Sequence, residues 1–111
     1  MKKAITTMLL VLAASLLFLV STQPVFAQDG ANLYKTKTCI ACHGPDAKTP
    51  LMPVYPRLAG QNEIYLLNQM KDIKSGKRSN GNSAAMKGVM HLVTDAEMEA
   101  ISKWLSTLPK F

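Results

Sequence analysis

Two thiols and an imidazole stand together at Cys39-Ile40-Ala41-Cys42-His43. The sulfurs suit thioether bonds to the vinyl groups of a c-type haem, and the histidine that follows can bring a ring nitrogen to the iron. Two intervening residues let one turn of backbone carry both sulfurs to one edge of the macrocycle, with the next residue beneath the metal. Three other chemistries fit less well. A disulfide accounts for Cys39 and Cys42 but leaves His43 without a role. A thioredoxin-like redox pair needs a strand-then-helix context, and no strand signal precedes Cys39. A structural zinc centre takes four ligands, whereas the chain has no further cysteine and only His91 as a further histidine.

An iron held by His43 on one side has a second face to fill. A thioether is a soft donor that favours ferrous iron, so a methionine there raises the reduction potential and suits electron transfer. Met52, Met70, Met86, Met90 and Met98 are the candidates. Met70 and Met98 fall on apolar helical stripes and read as core. Met52 lies in the loop expected to cover the histidine side, and Met86 and Met90 precede the last helix. His91 would give a bis-histidine centre of lower potential, but a single histidine near a helix start is usually a surface residue. On the histidine side, Pro50, Pro53 and Pro56 keep residues 46–56 in a loop. A proline carbonyl can accept a hydrogen bond from the ligand imidazole, and Pro56 is the candidate.

The elements that must position these groups are legible in part. Asp29 can cap a short helix that runs to about Lys37, with Leu33 and Tyr34 buried. Gly44-Pro45 breaks the chain behind His43. Residues 61–75 read as a second helix stopped by Gly76, with Tyr65, Leu66, Met70 and Ile73 at helical spacing; Tyr65 could instead reach a haem propionate. Residues 77–90 read as a flexible polar stretch. Thr94-Asp95-Ala96-Glu97 matches a capping box, and the helix it opens runs to about Thr107. Met98, Ile101, Leu105 and Leu108 form its stripe, Trp104 borders it, and Pro109 closes it.

The chain has 111 residues. Met1-Lys2-Lys3, an apolar run from Met8 to Val20 and Val25-Phe26-Ala27 read as a secretory signal peptide over residues 1–27, cut after Ala27. The run is short for a membrane span, so an uncleaved anchor is the lesser alternative. One small domain remains, residues 28–111, short enough that a covalently held haem would supply part of its apolar centre. The whole chain carries 13 Lys+Arg against 7 Asp+Glu; without Lys2 and Lys3 the balance is 11 to 7, or +4. With export, that charge points to an acidic redox partner protein rather than to nucleic acid. The expected protein is soluble, and tethered to a membrane only if the signal stays uncut.

Further pieces carry a resemblance: Cys42-His43-Gly44, Tyr55-Pro56-Arg57-Leu58-Ala59-Gly60-Gln61, Tyr65-Leu66 with Gln69-Met70, Gly76-Lys77-Arg78, and Met86 ahead of Val93-Thr94-Asp95. The chain resembles the class I c-type cytochromes, small periplasmic electron carriers, and is similar to the single-haem bacterial carriers and to one half of the two-haem ones. The resemblance implies an all-α cytochrome c fold of three to four short helices around one covalently attached haem c. It implies the sixth-ligand role for Met86, with Met90 in reserve, and the imidazole-holding carbonyl for Pro56. It also implies crossed first and last helices, for which Tyr34 and Trp104 are the contact candidates. Here Ala85 and Lys87 flank Met86, where such proteins often carry a proline or a second methionine.

The expected activity is outer-sphere electron transfer in the periplasm, with no catalysed reaction. Lys71, Lys74, Lys77, Arg78 and Lys87 are candidates for guiding an acidic partner. Two other readings are a haem c subunit bound to a periplasmic dehydrogenase and a gas-binding or peroxidase protein with an open iron. Gas-binding four-helix c-type proteins resemble this chain less, because their motif comes near the end.

Overall fold

The computed structural model describes residues 28–111; the expected signal peptide and its cut after Ala27 lie outside them. Five helices follow in order: α1 Gly30–Thr36, α2 Ile40–His43, α3 Glu63–Ser75, α4 Ser83–Met90 and α5 Asp95–Thr107. The all-helical expectation holds among the described residues, with five segments instead of three or four.

The helix ends follow local chemistry. Asp29 accepts from the amides of Ala31 and Asn32, which opens α1. Asn62 caps α3 by accepting from the Tyr65 amide, so this helix starts two residues later than expected, and it stops at Gly76. The capping box of α5 is complete: Thr94 Oγ1 accepts from the Glu97 amide, and the Glu97 carboxylate accepts from the Thr94 amide.

α5 packs against both α1 and α3, and α3 also packs against α4. The stripe from the last helix is the centre of the core: Met98, Ile101 and Leu105 are buried, joined by Tyr34, Leu66, Met70, Ile73, Met90 and Val93. Leu108 and Trp104 pack at its edge. The α1–α5 crossing is close because residue 30 is glycine: a Cβ there would lie 2.2 Å from the Ala100 carbonyl oxygen and 2.6 Å from Trp104 Cβ. One turn on, the Tyr34 and Trp104 rings meet with centroids 5.2 Å apart and planes at 49°. This is the contact expected of those two side chains.

Residues 77–90 depart from the reading as a flexible polar stretch, because Ser83–Met90 is helical. Ala84 and Ala85 favour a helix, and Met86, Val89 and Met90 give it an apolar side that α3 can cover.

Candidate functional site

Cys39, Cys42 and His43 stand at helical spacings of three and four, so all three share one side of a single turn. The His43 and Gly44 amides bond back to the Cys39 and Ile40 carbonyls at 3.0 and 3.1 Å, which fixes that turn. Cys39 and Cys42 are free thiols. Burial is the main cause that pushes the Cys39 thiol up to about 11. Among the described residues no group of three or more His, Cys, Asp or Glu gathers in one place.

The chain reverses behind His43. Gly44 has φ +83°, and a Cβ there would meet the Thr49 carbonyl oxygen at 2.1 Å. The buried Tyr34 hydroxyl donates to the Gly44 carbonyl at 2.6 Å, which ties α1 to the turn. Asp46 holds the next residues: its carboxylate accepts from the Lys48 and Thr49 amides and the Thr49 hydroxyl at 2.8–3.0 Å. Those bonds, led by the one to Lys48, keep its carboxyl below the ordinary carboxylate range.

His43 is 6 % exposed, and its Nδ1 lies 2.8 Å from the Pro56 carbonyl oxygen. A carbonyl only accepts, so Nδ1 carries the proton and donates it, which leaves the Nε2 lone pair available to a metal. Burial lowers the imidazole's pKa and favours the neutral form; the bond to Pro56 opposes this less strongly. The Pro56 carbonyl thus stands within hydrogen-bond reach of the His43 ring.

A cavity of about 550 Å³ opens beside this turn, within the roughly 300–1,000 Å³ range of cofactor pockets. Cys39, Cys42, His43 and Pro56 line one part of it, and Met86 and Met90 from α4 line another. Leu58, Leu66, Met70, Ile73, Ile101 and Leu105 give it an apolar wall. Met86 is half-buried, whereas Met90 is buried in the core. Met52 and His91 are exposed and do not line the cavity. Tyr65, half-exposed, stands at its rim.

Arg78 holds a different place from the one the sequence implied. It is the one charged side chain lining the cavity among the described residues, and it donates to Gln69 Oε1 at 2.9 Å. Lys74 is also committed inside the fold, donating to the Val93 carbonyl at 2.6 Å. Lys77 lies 3.8 Å from Asp72 at the surface. The cationic cluster read from residues 71–87 is thus divided between the fold and the surface. The signal for Arg78 was its place after Gly76-Lys77, but charge alone does not say which way a side chain turns.

The residues present fit a covalently attached haem: two adjacent thiols and a neutral buried imidazole, methionines on a separate element, and an apolar chamber with one cation at its rim. An all-helical fold around such a chamber is that of a small c-type cytochrome. Comparison with known proteins agrees. Residues 27–109 match the cytochrome c family, and the chain belongs to it.

It is 37% identical over 73 residues to cytochrome c-554(548) of Halomonas halodenitrificans, covering 66% of this chain and 87% of that one. It is 41% identical over 73 residues to cytochrome c4 of Pseudomonas aeruginosa, covering 66% of this chain and 34% of that one. The crystal structure of reduced recombinant cytochrome c4 from Pseudomonas stutzeri superposes with a TM-score of 0.66 at 27% identity, covering 78% of this chain and 50% of that one. The chain thus spans most of the first relative, but a third to a half of the cytochrome c4 chains. Family membership implies covalently bound haem c and a role as a haem electron carrier.

Proposed function

We propose that this protein is a periplasmic carrier of single electrons, holding one haem c and catalysing no reaction itself. Cys39 and Cys42 would supply the thioether sulfurs, and His43 Nε2 and Met86 would be the two protein ligands of the iron. When bound, the haem supplies a one-electron couple between Fe(III) and Fe(II). The chain's own residues do the rest. The Pro56 carbonyl fixes the imidazole tautomer, and the apolar wall excludes water. Arg78 and Tyr65 both line the cavity, and Arg78 would offer a positive charge to anionic groups of the cofactor. Met86 is preferred to Met90 because Met90 is enclosed in the core. The observation that carries this reading is the cavity itself, which has His43 and Met86 in its lining. The exported, soluble state is inferred from residues 1–27; among the described residues no helix is long and apolar enough to cross a membrane. An acidic protein is the inferred partner, met by Lys71, Lys77 and Lys87.

One observation favours the second reading, a haem subunit seated on a dehydrogenase. Leu51, Met52 and Val54 are 74%, 45% and 57% exposed in a single loop, and Val54 lies at the cavity. Elution with a large subunit from native extracts would establish that reading over the free carrier.

The ligand assignment is tested with the holoprotein. Met86→Ala is expected to lose the far-red charge-transfer band of a methionine-ligated ferric haem and to bind carbon monoxide when reduced. An unchanged six-coordinate spectrum would refute the role of Met86.

A further inference from the structure

The turn between α4 and α5, residues 91–94, is gripped from two sides by lysine ammonium groups. Lys37, the C-cap of α1, donates to the Leu92 carbonyl at 2.9 Å and lies 3.2 Å from the Glu97 carboxylate. Lys74, on α3, donates to the Val93 carbonyl at 2.6 Å in a partly buried setting.

The helices leave these two carbonyls over. The last amides after α4 turn back, Leu92 N–H to Val89 and Val93 N–H to Met90, while the first acceptor of α5 is Thr94. No backbone N–H among the described residues reaches Leu92 or Val93 oxygen. Both oxygens lie just past the C-terminal end of α4, where the helix dipole favours a cation. A bond from an ammonium is roughly twice as strong as one between neutral groups.

The two lysines come from different helices, so the turn is fixed relative to both α1 and α3. The helix it fixes is α4, which carries Met86 one turn before the buried Met90. α4 has no side-chain cap at Asn82 and begins in a loop, so its C-terminal end is the anchored one.

We propose that Lys37 and Lys74 are positioning residues: by clamping the α4–α5 turn they keep Met86 on the iron against small exogenous ligands. This rests on the assignment of Met86 as the sixth ligand. Loss of either ammonium lets the turn and α4 move together, and the iron's sixth position opens more often.

The test follows uptake of imidazole by the ferric holoprotein in Lys37→Met and Lys74→Met, with global stability measured alongside. Each variant is expected to take up imidazole at least about tenfold faster, a change of about 1.4 kcal/mol. The far-red methionine band should weaken, and amides of α4 should exchange faster while those of α3 do not. Lys37→Arg and Lys74→Arg should restore slow uptake, because a guanidinium can also donate to a carbonyl. Lys35→Met removes the same charge from an exposed position on α1 and should leave uptake unchanged.

A lysine that only stabilises the fold would lower the unfolding midpoint and leave imidazole uptake at the unsubstituted rate under folding conditions. That result would overturn the proposal. Should Lys74→Met fail to retain haem, Lys37→Met carries the test, since its ammonium lies nearer the surface. Met86→Ala separates the two levels. If it takes up imidazole no faster than the unsubstituted protein, the ligand assignment has failed. If it is fast while the lysine variants are slow, the clamp alone has failed.

Discussion

Asp46 shows how a single side chain holds the ground beneath the motif. It makes three bonds to Lys48 and Thr49 and has its pKa depressed by them. A carboxyl lowered on folding stabilises the protein above its unfolded value, about 3.9. That contribution is lost as the pH falls through the lower, folded value. Asp46→Asn should therefore reduce the melting temperature at pH 7 and flatten its fall between about pH 5 and pH 3. Thermal melts of both holoproteins across that range check it; parallel curves would refute it. At this scale the sequence was most readable where chemistry is local, as in Cys39, Cys42 and His43. It was silent on direction. Arg78 and Lys74 read as surface charges, yet one lines the cavity and the other reaches a carbonyl 19 residues away.

Among the elements, the α1–α5 crossing is the tightest joint. Gly30 leaves no room for a methyl group, since the nearest backbone atom would be 2.2 Å from it. Gly30→Ala should force the helices apart and cost about 1–3 kcal/mol in the urea unfolding of the holoprotein. Better helix propensity offsets this only slightly so near the helix start. A stability within 0.5 kcal/mol of the unsubstituted protein, about the scatter of ordinary surface substitutions, would show that the crossing relaxes freely. The starts of α1 and α5 and the stop of α3 could be read from Asp29, the Thr94–Glu97 box and Gly76, because caps depend on neighbouring residues. α4 could not. Asn80, Asn82 and Ser83 announce a loop, and the apolar side formed by Met86, Val89 and Met90 becomes significant only once α3 lies against it. The left-handed backbone at Thr38 and Ala47, φ 66° and 59°, was equally hidden, because neither residue type signals it.

For the molecule as a whole, the cavity is as large an issue as the core. Were about 550 Å³ left dry and unfilled, the cost at ~24 cal/mol per Å³ would approach 13 kcal/mol, an upper figure because the mouth meets solvent. That matches the entire stability of an ordinary domain, about 5–15 kcal/mol. The polypeptide without cofactor should therefore not hold this fold. Cys39→Ser/Cys42→Ser, purified free of haem, is expected to lose most of its helical circular dichroism and its cooperative melt. A native-like melt would mean that the helices enclose the chamber unaided. The resemblance read from Cys42-His43-Gly44 and Pro56-Arg57-Leu58-Ala59-Gly60-Gln61 anticipated this architecture, since the order of these pieces survives even where each alone is weak.

The acceptor opposite His43 Nδ1 belongs to the main chain, not to a carboxylate. No exchange of side chain at residue 56 can delete it, and no proton can neutralise it across the physiological range. The hydrogen bond that orients the histidine is thereby insensitive to titration of its acceptor and to simple side-chain exchange at residue 56. A change in the path of the loop is what could retune it, so natural variation in ligand strength among close relatives should track insertions and the placing of prolines between residues 46 and 56 and not the charge or polarity of side chains there.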